Sequence, residues 1–150
     1  ITALQQALTD AGVYAPKTDD IKRDLWSKMV LFCAVSGVTA AGSCTMADIT
    51  NTPELGSLFR LVLGETATLG RTLGVALDED IETKTWKRAQ TLPPTMRAST
   101  TIDLENGRPL EIDWVSGAVA RLSAKAGLEA PMNKALYALL LPHKSGRHRD

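Results

Sequence analysis

Leu25-Trp26-Ser27-Lys28-Met29-Val30-Leu31-Phe32-Cys33 is the stretch on which the fold turns. It shows no strand-like alternation. Ile21, Leu25, Met29, Phe32 and Cys33 recur at spacings of one to four, which places them on one broad face of a helix. Asp19 or Asp20 stands where a helix cap is needed. Lys28 is the only charge between Asp24 and Asp48, and the unbroken apolar run is only Met29 to Val35. A membrane crossing needs about 20 mostly apolar residues, so Leu25 to Ala47 reads as a buried core helix.

Helical spacing continues on both sides. Ile1, Leu4, Leu8 and Ala11 mark a first helix. Thr52-Pro53-Glu54 has the order of N-cap, N1 proline and first-turn carboxylate, and the helix behind it carries Leu55, Leu58, Phe59, Val62, Leu69 and Leu73. Asp78 or Asp80 opens another, which ends before Pro93-Pro94. A further helix is expected from Thr95 to Glu105, stopping at Asn106-Gly107. Pro109 starts a long one through Ile112, Val115, Val119 and Leu122, and Pro131 starts the last through Leu136 and Leu140. Ala11-Gly12-Val13, Leu73-Gly74-Val75 and Ala126-Gly127-Leu128 each put glycine and then an apolar residue after a helical run, the signature of a Schellman stop. The expected fold is all-α: one domain of seven or eight helices over residues 1–142, with a polar, frayed tail over 143–150 containing His143, Lys144, Arg147, His148 and Arg149.

Composition narrows the function. The 150 residues suit one core, and 17 basic side chains balance 17 acidic ones. That balance argues against nucleic acid or an anionic membrane as the main partner. Cys33 and Cys44 lack neighbours at metal-ligand spacing, so no metal site is expected. They read as two buried thiols of a cytoplasmic protein. The glycines form neither G-x-G-x-x-G nor a phosphate-binding P-loop, and both histidines, His143 and His148, lie in the tail.

Lys28 is the chemically informative residue. A helical lysine ordinarily reaches solvent on an apolar stem. Here apolar neighbours on nearly every side point to partial burial, which requires a carboxylate or a ligand anion and suits a general acid. Phe32 and Ser36 follow one and two turns later on the same face. They line a cleft or pack in the core. Glu111, in Arg108-Pro109-Leu110-Glu111-Ile112-Asp113-Trp114, falls in the first turn expected of its helix, where the dipole favours any carboxylate by about 0.3–1 kcal/mol. It, or Asp113, can also pair with Lys28. Ser99, Thr100 and Thr101 precede Asp103. Their hydroxyls either bond back to their own helix or hold a small carboxylate.

At these residues the sequence resembles the C-terminal domain of the ketopantoate reductase (2-dehydropantoate 2-reductase) family. The matching pieces are Asp20-Ile21 leading to Leu25-Trp26-Ser27-Lys28-Met29, then Gly37-Val38-Thr39-Ala40, then Ser99 to Asp103. Gly107-Arg108-Pro109-Leu110-Glu111-Ile112-Asp113 with Gly117, and Ala126 through Asn133, complete them. The resemblance implies a helical domain like the C-terminal domain of 6-phosphogluconate dehydrogenase. It also implies a separate N-terminal Rossmann domain binding NADPH, and a small 2-oxo acid reduced in the cleft between the two. Lys28 then matches the proton donor, Glu111 its partner and Ser99 the holder of the substrate carboxylate, with Asp103 in support. Phe32 and Ser36 fall on the substrate-binding positions where the best-known family pattern has asparagines. That departure suits a more apolar 2-oxo acid.

Two functions are expected to compete. One is the substrate-binding, proton-donating half of an NADPH-dependent 2-oxo acid reductase of pantothenate biosynthesis, a possible homodimer without reductase turnover on its own. The other is a non-catalytic helical module for dimerisation or partner docking. The sequence begins in mid-pattern at Ile1, and no signal peptide is expected.

Overall fold

A computed structural model describes residues 2–146. Ile1 and residues 147–150, including the tail's Arg147, His148 and Arg149, lie outside the described residues. Every regular element described is helical: α1 (Thr2–Asp10), α2 (Ile21–Ala41), α3 (Met46–Asn51), α4 (Pro53–Thr72), α5 (Ile81–Ala89), α6 (Ser99–Glu105), α7 (Ser116–Lys125) and α8 (Pro131–Leu140). Short 3-10 turns cover Ile112–Trp114 and Leu141–His143. The expected all-α class is what forms.

α2 is the axis of the molecule. Asp20 caps it, its carboxylate accepting from the Arg23 N–H at 2.9 Å. By length and composition α2 is apolar enough to cross a membrane, but its middle and end are enclosed by protein. Every residue from Cys33 to Ala40 is buried, as expected of a helix apolar all round, and α4, α6, α8 and α5 pack against it. Its first turns differ from expectation. Ile21 and Leu25 are exposed, because over these first turns only one side of α2 is covered, where Trp26 and Met29 pack on the core.

α4 supplies the other half of the core through Phe59, Val62, Leu63 and Leu69. Pro53 sits at its first turn, but Thr52 makes no side-chain capping bond, unlike Asp20. The short α3, not anticipated, begins at a capping box: Thr45 and Asp48 bond each other's backbone N–H. All three expected glycine stops form. Val13, Val75 and Leu128 donate to the carbonyls of Leu8, Gly70 and Ser123 at 2.9–3.0 Å, with Gly74 at φ +76°.

Two boundaries depart from the sequence pattern. α6 starts at Ser99 rather than Thr95, because Pro93-Pro94 and the following turn run on to Ala98. The long helix expected from Pro109 is broken. A 3-10 turn ends at Val115, whose backbone (φ −107°, ψ −106°) is not helical, and α7 begins only at Ser116. The front of the tail is also folded rather than frayed. His143 closes a 3-10 turn, the Lys144 carbonyl accepts from the Leu110 N–H at 2.8 Å, and the Lys144 ammonium meets Asp113 at 2.5 Å.

Candidate active site

α2 presents Lys28 and Phe32 along one edge, and α5 and α6 approach that edge to leave a cleft of about 680 Å³. Leu31 and Val35 of α2, Ile81 and Arg88 of α5, Met96 of the connecting loop and Ser99 of α6 line it with them. On the other side of Lys28 and Phe32 is a second depression of about 440 Å³, walled by Leu25, Met29, Leu69 and Leu122. Lys28 and Phe32 thus form a ridge between two apolar hollows.

Lys28 is exposed, contrary to the partial burial expected of it. Val30 and Cys33 fall on the buried side of α2 and Trp26 and Met29 are half-buried, whereas Leu25 and Phe32 stay exposed with Lys28, whose ammonium stands on the open side. Among the described residues it forms no ion pair. Two of the cleft's other cations differ in this respect. Lys84 binds Asp78 and Asp80 at 2.8 and 2.9 Å, and Arg97 binds Glu105. The Asp78 and Asp80 carboxylates push the Lys84 ammonium well above the usual lysine range. Lys28 and Arg88 are left as cleft cations without an ion pair among the described residues, against one lining carboxylate, Asp24, which lies 3.9 Å from Arg23; the excess favours an anionic ligand.

The remaining site residues separate into two groups. Ser99 opens onto the cleft at the first position of α6. Ser36 does not: it is 1 % exposed, and its hydroxyl lies 2.7 Å from that of Thr100. A buried hydroxyl must find a partner, and Thr100 is that partner, so the substrate contact expected of Ser36 is replaced by an internal one. Thr39 and Thr101 repeat the arrangement at 2.8 Å, and Thr39 also accepts from the Ala98 N–H. The hydroxyl cluster therefore divides by function. Thr100 and Thr101 fasten α6 to α2, and Ser99 is left free.

Glu111 is exposed and lines neither hollow. It stands just before the 3-10 turn rather than within a long helix, and no contact with Lys28 forms. The bond from Leu110 to Lys144 and the break at Val115 hold it on the α7–α8 side. Asp113 does not meet Lys28 either. Lys144 and the Tyr137 hydroxyl, which donates at 2.8 Å, occupy its carboxylate and hold its pKa below the usual range. Asp103 pairs with Arg108 at 3.5 Å, and its carbonyl accepts from the Arg108 N–H, so it secures the turn after α6.

Sequence reading missed Arg88 and Met96, which reach the cleft only because α5 and its following loop fold back on α2. It also missed Glu65. This α4 carboxylate accepts from the Met132 and Asn133 N–H groups at 2.7 and 2.9 Å, capping α8 from another helix. Nothing within the local window of either segment signals that pairing.

No glycine loop of the phosphate-binding kind opens a helix among the described residues. A phosphate cradle needs a glycine loop opening onto a helix N-terminus. The positive-φ glycines Gly12, Gly74, Gly107 and Gly127 follow α-helices and end them, and Gly146 follows the last 3-10 turn.

Its described elements all helical and Lys28 on an open cleft, the chain matches the helical C-terminal domains of a family of oxidoreductases. The family model described as ketopantoate reductase PanE/ApbA C terminal matches residues 20–144, and the chain belongs to that family. It is 26 % identical over 141 residues to the 2-dehydropantoate 2-reductase of Archaeoglobus fulgidus, covering 94 % of this chain and 47 % of that protein. A dimeric ketopantoate reductase from Staphylococcus aureus superposes with a TM-score of 0.87 at 22 % identity, over 95 % of this chain and 50 % of that one. D-mandelate dehydrogenase, solved with NADH and anilino(oxo)acetate, superposes at 0.84 with 20 % identity, over 95 % and 59 %. These two likenesses concern the fold. The chain spans about half the length of the relatives it matches.

Proposed function

We propose that this chain is the substrate-binding and proton-donating half of an NADPH-dependent reductase of small 2-oxo acids, resembling 2-dehydropantoate 2-reductase. The observation that carries the reading is the meeting of Lys28, Phe32 and Ser99 on one cleft. A 2-oxo acid presents a carboxylate and a neighbouring carbonyl. The Ser99 hydroxyl donates to the carboxylate. The Lys28 ammonium donates to the carbonyl oxygen, stabilises the negative charge that grows there and then transfers its proton. Reduced nicotinamide, when bound, supplies the hydride. Its phosphates are assigned to an N-terminal Rossmann domain, the part of the longer relatives that this chain does not span.

Glu111 keeps a proposed role as the partner of Lys28 once substrate and the cofactor domain are in place. Its carboxylate is exposed and forms no ion pair among the described residues, so it is available. Asp103 acts on Ser99 through the end of α6. The helical domain alone is expected to lack turnover. In this reading the whole protein is a cytoplasmic enzyme of pantothenate biosynthesis and a homodimer, as the Staphylococcus aureus relative is a dimer.

Lys28→Ala in the full-length protein tests the reading. Turnover should fall by about 10²- to 10⁴-fold with the circular dichroism spectrum unchanged. Turnover equal to wild type would remove Lys28 from the chemistry.

A further inference from the structure

Past Lys28 and Ser99 the cleft turns apolar. Phe32 and Met96 are 38 % and 37 % exposed, large side chains left facing solvent, and Leu31, Val35, Ile81 and Leu92 continue the wall. Covering such surface is favourable in proportion to the apolar area removed from water.

Most of the polar groups beside this wall are already engaged; Arg88 and Asp24 are the charged groups of the cleft other than Lys28 that are not tightly paired. The Ser27 hydroxyl donates to the Arg23 carbonyl at 2.8 Å, and Ser36 is bonded to Thr100 in the interior. Lys84 and Arg97 are held by carboxylates. Thr85 is only 5 % exposed. A ligand hydroxyl set against the Phe32 and Met96 side chains would lose its water without gaining a partner from them, a penalty a hydrocarbon group does not meet.

We propose that Phe32 and Met96 are specificity-determining residues, and that the substrate is a 2-oxo acid whose side chain is bulky, apolar and free of hydroxyl groups, branched or aromatic. The inference rests on the reductase reading above. In it, Ser99 and Lys28 hold the oxo-acid end common to all such substrates, and the Phe32–Met96 wall selects among their side chains.

The test uses the full-length enzyme with NADPH and, separately, NADH. kcat/KM is measured for 4-methyl-2-oxopentanoate and phenylpyruvate against 2-dehydropantoate, whose side chain carries a hydroxyl. The apolar acids should be favoured about tenfold or more, the scale on which an apolar pocket discriminates. Phe32→Asn and, independently, Met96→Gln should each cut that ratio severalfold, mainly through KM. A wild-type preference for 2-dehydropantoate overturns the proposal, as does a ratio that neither substitution moves. Absence of turnover with every 2-oxo acid and both cofactors overturns the reductase reading itself, and this inference with it.

Discussion

Asp113 ties three segments together, and its charge is what holds them. Its carboxylate accepts from Tyr137 of α8 and pairs with Lys144, whose carbonyl in turn receives the Leu110 N–H. The Lys144 ammonium first, and the Tyr137 hydroxyl second, lower the Asp113 pKa from 3.8, while Asp113 raises that of Lys144 from 10.5. A carboxyl held low in the folded state stabilises it above the unfolded pKa and ceases to as pH falls through the folded one. A lysine held high stabilises below its unfolded pKa and ceases to as pH rises through the folded one. The clasp is therefore complete from about pH 4 to 10. Amide exchange at Leu110 should accelerate relative to core amides below that window, and Asp113→Asn should give the same acceleration at neutral pH. Equal protection in the variant would show that the backbone holds the clasp unaided. At this scale the sequence was only partly legible. Lys28 was identifiable by its isolation, and it does face the cleft, but its exposure was misread. Apolar neighbours along a chain say nothing about which side of a helix its partners cover.

Between elements, hydroxyl pairs and close approaches set the geometry of the cleft. Ser36 and Thr39 of α2 meet Thr100 and Thr101 of α6, and this lateral fastening holds Ser99 toward the open side. Ser36→Ala leaves the buried Thr100 hydroxyl without a partner and should cost about 1–3 kcal/mol in urea unfolding. Adding Thr100→Val should restore part of the loss; strictly additive costs would mean the two hydroxyls are not coupled. α7 and α8 approach more closely still. A Cβ on Gly117 would lie 2.8 Å from the Tyr137 ring and 3.0 Å from the Ile112 carbonyl oxygen. The ring is anchored through its hydroxyl to Asp113 and cannot readily move aside. Gly117→Ala is expected to destabilise by about 1–3 kcal/mol, seen as a lower unfolding midpoint with the slope unchanged. Helix existence was well legible here, since caps and glycine stops are local. The break at Val115 was not, because the apolar spacing runs straight through it while the backbone turns to meet the tail.

The whole molecule is organised around a single buried helix, and Cys33 at its centre reports on its integrity. Burial pushes this thiol up to about 12 from 9.0, opposed weakly by a hydrogen bond with Thr66. The unfolded chain ionises first, so the contribution of Cys33 is level below about pH 9 and falls as pH rises from there toward 12. Cys33→Ala should flatten that decline in urea titrations at pH 9 to 11. Iodoacetamide should modify native Cys33 only as fast as the protein opens. Alkylation of the folded protein at the rate of a free thiol would contradict the enclosed position of α2.

The sequence by itself determined the all-α class, most of the helices with their caps and stops, the family, and the identities of Lys28, Phe32 and Ser99 as residues worth following. Each of these depends on short-range periodicity or on a motif contained within one segment. Only the tertiary structure decided which of them share a cleft. It put Lys28 in the open, turned Ser36 inward to Thr100, placed Glu111 away from the lysine and brought Arg88 and Met96 in from α5 and its loop. Those outcomes depend on how helices far apart in the chain cover one another's faces, and the spacing of residues along one helix carries no record of what its neighbours cover.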